Sequence, residues 1–421
     1  MRACFVPCCL LSVLLIAPTW AAEPVDPQPA ATVTVPRAEW EAVKTELQSL
    51  RRELEELKAS SAAPPPAAPE PSSPAAAQPA PSPTGGGRSL LLPDISLIVQ
   101  AQGLVSSDRR DPDRDKLLLR EAELGIQGYV YPNVKADAFI AASPAEDASA
   151  QVEEAYLTYL GLGRGLNLSI GQKHVPFGRT NLLHPHSWPY ARQPLAITNL
   201  VGPESLVGAG ANASYLLPTR GELFAQLDLG FWAPAGHSHA EHEGEAAPRA
   251  GEQALPVGTG AGFHDHFQTA RLWLGRPLGP DGEGEVGGSY AWGPGEEGTR
   301  VRLLGWDVSY RRFGSANRRL LLRGEQLWRR EAGNTARGYY LLGQQRLDKH
   351  DSVGLLYDWS QYPQVPSEHE SAASLILTRQ FNEQYYLRLQ ASRGSRPGDA
   401  SYWEGRLQWV WGVGPHTHNL E

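Results

Sequence analysis

The stretch VEEAYLTYLGLGRGLNLSIGQKHVPFGRTNLLHPHSWPYARQPLAITNLVGP, Val152 to Pro203, decides how this chain is read. Two alternating segments, Glu154 to Leu160 and Leu166 to Lys173, flank the tight turn Gly161-Leu162-Gly163-Arg164-Gly165. In the second segment Leu166, Leu168 and Ile170 share one face, while Asn167, Ser169, Gly171 and Lys173 take the other. Strand side chains alternate with a period of two, so the pattern predicts one apolar and one polar face. That polar face offers little to pack as a core. A hairpin with one oily and one wet face, followed by a long aromatic and basic loop, is the repeat unit of a transmembrane β-barrel.

The same texture recurs from Leu92 onward. Asp94 to Val105 opens with Ile95, Leu97 and Val99 on one face. Leu119 to Tyr131 sets Ala122, Leu124, Ile126 and Val130 against Glu121, Glu123 and Gln127. Counting on to Tyr402–Trp411 gives about sixteen strands, an even number within the range of such barrels. Connection lengths sort by parity. One set holds short turns such as Pro132-Asn133 and Asp348-Lys349; the alternate set holds the two longest, Phe177 to Ser205 and Pro234 to Asp265. The alternate set also takes in Glu331 to Thr335 as its sixth member. A soluble sandwich has no reason to sort loops this way, whereas a barrel has short periplasmic turns and longer external loops. Trp306, Tyr310, Tyr357, Trp359, Trp409 and Trp411 fall on outward faces near strand ends, as interfacial girdles require.

The flanks set the compartment. Arg2, the apolar run Phe5 to Ile16 and Thr19-Trp20-Ala21-Ala22 read as a signal peptide over residues 1–22, too short to span a bilayer. All three cysteines, Cys4, Cys8 and Cys9, lie within it, which excludes disulfides and thiolate chemistry from the mature chain. Residues 23–37 read as disordered. Within 38–60, Trp40, Val43, Leu47, Leu50, Leu54 and Leu57 alternate spacings of three and four, the seam of a short α-helical coiled coil expected in the periplasm. A surface helix docked on a domain is the other reading. Residues 61–91 form a Pro/Ala/Gly-rich spacer, extended at ~3.1 Å per residue where proline dominates. The barrel is expected over 92–412 and a tail over 413–421. The expected fold class is therefore all-β: an antiparallel transmembrane barrel behind a coiled coil and linker.

The net charge of −8 over 421 residues shows no basic stripe and gives no case for nucleic acid. Parity points Glu121, Glu123, Glu154, Asp307, Arg311, Arg323, Glu325, Arg329, Asp358, Arg388, Glu404 and Arg406 inward, with Lys173. Mixed charge at these positions predicts a water-filled lumen, because unpaired charge in a dry interior is costly. Most of these residues are expected to brace the wall as cross-strand ion pairs, and a minority to set selectivity.

Two loops carry candidate function. The third external connection brings Arg179, His184, His186, Trp188, Tyr190, Arg192 and Gln193, beside Lys173, to an expected constriction that favours anions or mixed small solutes. A loop lying on the rim is the alternative. The fourth carries His237, His239 and His242, followed by His264 and His266, interleaved with carboxylates. Imidazole and carboxylate at this spacing can bind Zn, Cu or Ni, and a solvated acidic loop is at least as good a reading. No other cofactor is expected. No phosphate loop, nucleophile elbow or zinc-protease helix is present, so no enzyme is expected.

From Asp94 to Trp411 the chain resembles the phosphate-selective porin O/P family and its relatives with an N-terminal coiled coil. The resemblance is carried by Pro93-Asp94-Ile95-Ser96, Arg120-Glu121-Ala122-Glu123-Leu124-Gly125, Glu153-Glu154-Ala155-Tyr156-Leu157 and Gly171-Gln172-Lys173-His174-Val175-Pro176-Phe177-Gly178-Arg179. It implies a homotrimeric channel in the outer membrane of a Gram-negative bacterium, with an inward-folded third loop. The inward set departs from the family's lysine-rich pores, since Lys173 is its single lysine. A diffusion channel for small hydrophilic solutes or ions is the leading expectation, and metal capture by the fourth loop is the runner-up.

Overall fold

Alternating sequence becomes a closed cylinder. The computed structural model describes residues 93–415, apart from 110, 144–149, 204, 236–261, 316 and 399–400. The expected signal peptide, coiled coil and linker, the tail beyond 415, and His237, His239 and His242 lie outside the described residues. The strands are β1 (Asp94–Ser106), β2 (Lys116–Tyr131), β3 (Val134–Ala142), β4 (Ala150–Tyr159), β5 (Leu166–His174), β6 (Val207–Leu216), β7 (Phe224–Pro234) and β8 (Phe267–Pro277). They continue with β9 (Gly282–Pro294), β10 (Arg300–Phe313), β11 (Arg319–Glu331), β12 (Asn334–Arg346), β13 (Asp351–Gln361), β14 (His369–Asn382), β15 (Tyr385–Ser395) and β16 (Tyr402–Val413). Each pairs antiparallel with its sequence neighbours, and β1 also pairs with β16. Closure leaves no edge of unpaired backbone groups, which is the condition for strands in a hydrocarbon layer.

The two faces follow the period of two. Along β10, Leu304, Trp306 and Val308 point out while Val301, Leu303, Asp307 and Ser309 point in. The outward side carries Leu229 and Phe231 on β7, Val286 on β9, Leu341 on β12, Leu355 on β13 and Leu407 on β16, all exposed. Soluble monomers rarely show an apolar patch beyond a few hundred Å², so a surface apolar all round is built for lipid. Among the described residues no helix is long and apolar enough to cross a membrane.

Two features depart from the sequence reading. The sixth long-end connection is not the loop Glu331 to Thr335 but a two-residue turn. Ala332 and Gly333 both have positive φ, 47° and 85°, the backbone of a tight hairpin whose twist matches its strands. The interior is not uniformly water-filled either. Val301, Leu303, Leu327, Ala336, Tyr340, Leu342 and Leu356 face inward on β10–β13 and pack with Phe177, Leu183, Ile197 and Leu200 from the segment between β5 and β6. One side of the lumen is a packed core because a loop supplies apolar partners there.

Candidate functional site

The segment between β5 and β6 leaves the wall at His174 and lies inside the ring of strands. Its stems are tied together at the base. Val175 N–H donates to the Leu206 carbonyl at 2.9 Å, and the buried Asn181 amide donates to the Val175 and Leu206 carbonyls at 2.8 and 2.9 Å while accepting from Leu206 N–H. Beyond Gly178, at φ +63°, the chain meets Glu325 of β11. This buried carboxylate accepts from Arg179 N–H (3.1 Å), Thr180 N–H (2.7 Å), Thr180 Oγ1 (2.6 Å) and Tyr340 OH (2.8 Å). A Cβ at position 178 would run into the same carboxylate, so glycine is required there. The helix α1 (Leu195–Leu200) turns Leu195, Ala196, Ile197 and Leu200 onto β11–β13.

The basic residues expected to present charge to a solute are instead engaged by the wall. Arg179 binds Glu285 at 2.7 Å, and Arg192 reaches Asp358 at 3.1 Å and Glu404 at 3.2 Å. His184 sits 2.7 Å from Glu123, 3.2 Å from Glu153 and 3.1 Å from Glu154. His186 lies 3.5 Å from Glu121, and its carbonyl accepts from Tyr386 OH. Tyr190 joins Thr180 through its hydroxyl, and Trp188 Nε1–H donates to the Leu183 carbonyl. Lys173 stays on the wall, 4.3 Å over the Tyr156 ring. These contacts anchor the loop, because a buried guanidinium needs a carboxylate partner and a buried imidazole a hydrogen-bond partner.

The remaining inward residues mostly brace strands. Arg271 grips Asp307 with two bonds of 2.6 and 3.1 Å, and Arg311 binds Glu283 and Glu285. Arg329 binds Glu331, Arg406 binds Glu404 and Asp111, and Arg388 donates to Gln408 and to the Tyr190 carbonyl. Arg323 is buried and lines an inner cavity.

The loop divides the interior. On the long-loop side lies a cavity of 290 Å³ lined by Gln100, Glu121, Glu153, Arg192, Gln193 and Arg406. On the short-turn side lie one of 510 Å³, with Arg319, Arg323, Arg346 and Arg388, and one of 380 Å³, with Lys135, Asp137, Lys173 and Arg271. His174 borders the outer cavity and the smaller inner one, and Trp188 borders the outer cavity and the larger inner one.

His264 and His266 are exposed and stand apart from this interior set. The Asp265 carboxyl is held below the usual carboxylate range, first by His266 N–H and then by the His266 ring.

Glu153 and His174 were missed as inward groups. A register shift opposite Phe139 and Ile140 leaves Glu153 as an extra residue in β4, so Glu153 and Glu154 both enter the lumen. A second shift opposite Gln100 and Ala101 does the same for Arg120 and Glu121 in β2. Bulges re-aim side chains in this way. The signal was two adjacent charges, one of which would otherwise face lipid.

Closed strands, an apolar exterior and an interior crossed by the segment between β5 and β6 define a sixteen-stranded transmembrane β-barrel. No family model matches the chain. An uncharacterized protein of Aquifex aeolicus (strain VF5) is 25% identical over 282 residues, covering 58% of this chain. The match spans 56% of that relative's length. Among solved structures, the fold is similar to OprB of Pseudomonas putida (TM-score 0.54, 11% identity, 76% of this chain and 94% of that one). It is also similar to an anion-selective porin from Comamonas acidovorans (TM-score 0.52, 9% identity, 76% and 99%). At these identities the likeness establishes the fold.

Proposed function

We propose that the chain is an outer-membrane diffusion channel for small hydrophilic solutes or ions, narrowed by its third long-end connection. One observation carries the reading: residues 175–203 lie inside a closed barrel that is apolar outside, with polar cavities on either side of them. The short turns face the periplasm and the long connections face outward, as in barrels generally. A solute passes from the outer cavity to the inner ones beside His174 and Trp188. Because Arg179, Arg192 and His184 are held by carboxylates, solute size outweighs net charge in discrimination. A homotrimer in the bilayer completes the proposal. Liposome swelling tests it: vesicles holding the folded barrel should swell quickly in a pentose and progressively more slowly in larger sugars. Swelling no faster than empty vesicles would overturn the proposal.

A further inference from the structure

Elsewhere in the lumen several inward carboxylates meet guanidinium groups: Asp307 with Arg271, Asp358 with Arg192, Glu285 with Arg179 and Arg311, Glu370 with Arg396. Between β2 and β4 the pattern changes. Here glutamates converge on imidazole rings, and the adjacent Arg120 is turned to Asp113 at the rim, 2.9 Å away. The bulge in β4 adds Glu153 to this group, since a regular strand would send every second residue outward.

We propose that Glu123, Glu153 and His184 form a site for a divalent transition-metal ion of the zinc type, at the partition between the outer and inner cavities. One donor atom from each lies within 4.8 Å of the others. Carboxylate and imidazole donors suit zinc, bound at about 2.0–2.2 Å, which puts neighbouring donors roughly 3.3 Å apart around a tetrahedron. His184 Nδ1 already stands 2.7 Å from Glu123 and 3.2 Å from Glu153. An ion therefore requires shifts well under the width of an atom. The other ring nitrogen, Nε2, lies 3.1 Å from Glu154. A metal-bound histidine characteristically donates its second N–H to a carboxylate, which fixes the tautomer and ring plane. His174 stacks on His184 with centroids 5.0 Å apart and holds the ring further. Glu121, Glu123 and His186 form a second such group that shares Glu123, giving a neighbouring position for the ion. Bound there, the ion ties β2, β4 and the loop together. The site needs the folded barrel but not conduction, so it stands or falls separately from the channel reading.

The test is zinc titration by calorimetry on full-length protein in detergent. The background carries alanine at His237, His239, His242, His264 and His266, which removes the histidines of the fourth long connection, and at His416 and His418 near the C-terminus. Saturable one-to-one binding should persist in that background and weaken about tenfold or more with Glu123→Gln. No saturable binding there, or binding indifferent to E123Q, would overturn the proposal. If E123Q fails to give a heat-modifiable barrel, Glu153→Gln and His184→Gln carry the same readout. Anomalous scattering at the zinc edge from wild-type crystals supplies an independent one. A peak between Glu123, Glu153 and His184 supports the site, and peaks confined to His264 and His266 sink it.

Discussion

Glu325→Ala probes what keeps the loop inside the barrel. The residue is buried and accepts four hydrogen bonds, three from Arg179 and Thr180 and one from Tyr340. A bond to a charged acceptor contributes about 1.5–3 kcal/mol, but bonds sharing one carboxylate do not add. Removing the carboxylate also removes its desolvation cost, so a net loosening of about 3–5 kcal/mol is the expected size. Each 1.4 kcal/mol is about a tenfold change, so the released population should rise on the order of 10²- to 10³-fold or more. Trypsin reads this at the bond after Arg179, because cleavage follows the open population when opening and closing are fast. Glu325→Gln, which keeps an acceptor, should give a smaller rise. Glu283→Gln at the short-turn end, where Glu283 touches Arg311, should give none. Unchanged cleavage in Glu325→Ala, with the barrel folded, would refute the anchoring role.

Asn181→Ala removes three bonds joining the loop stems and should loosen them by about 2–3 kcal/mol, taking ~1 kcal/mol each. Cleavage after Arg179 and Arg192 should both rise, and a rise at neither site contradicts the staple. Gly171→Ala places a Cβ 2.6 Å from Tyr156 Cα at φ +136°, a strain of about 1–3 kcal/mol. Its refolding yield and heat-modifiable fraction should fall below wild type. Deleting residues 38–60 should reduce the trimer fraction in cross-linking if the heptads serve assembly; an unchanged oligomer rejects that role.

Strand alternation survives translation into structure because lipid and lumen impose opposite demands on successive residues. Glu123, Asp307, Glu325 and Asp358 were therefore legible as inward groups, and Trp306 and Trp409 as outward ones. Periodicity could not show which inward residue meets which part of the loop. Glu123 meets His184, and Glu325 meets Thr180, across sixty intervening positions in the first case and over a hundred in the second. The apolar interior at Leu303, Tyr340 and Leu356 was hidden for the same reason, since its partners come from a distant loop. The bulges at Arg120 and Glu153 broke the period locally and left adjacent charges as their trace.

Single-channel recording in planar bilayers tests the central claim most directly. Purified wild-type protein should give discrete ohmic steps, with a measurable reversal potential under a salt gradient. A correctly folded barrel that inserts and carries no current would contradict the channel.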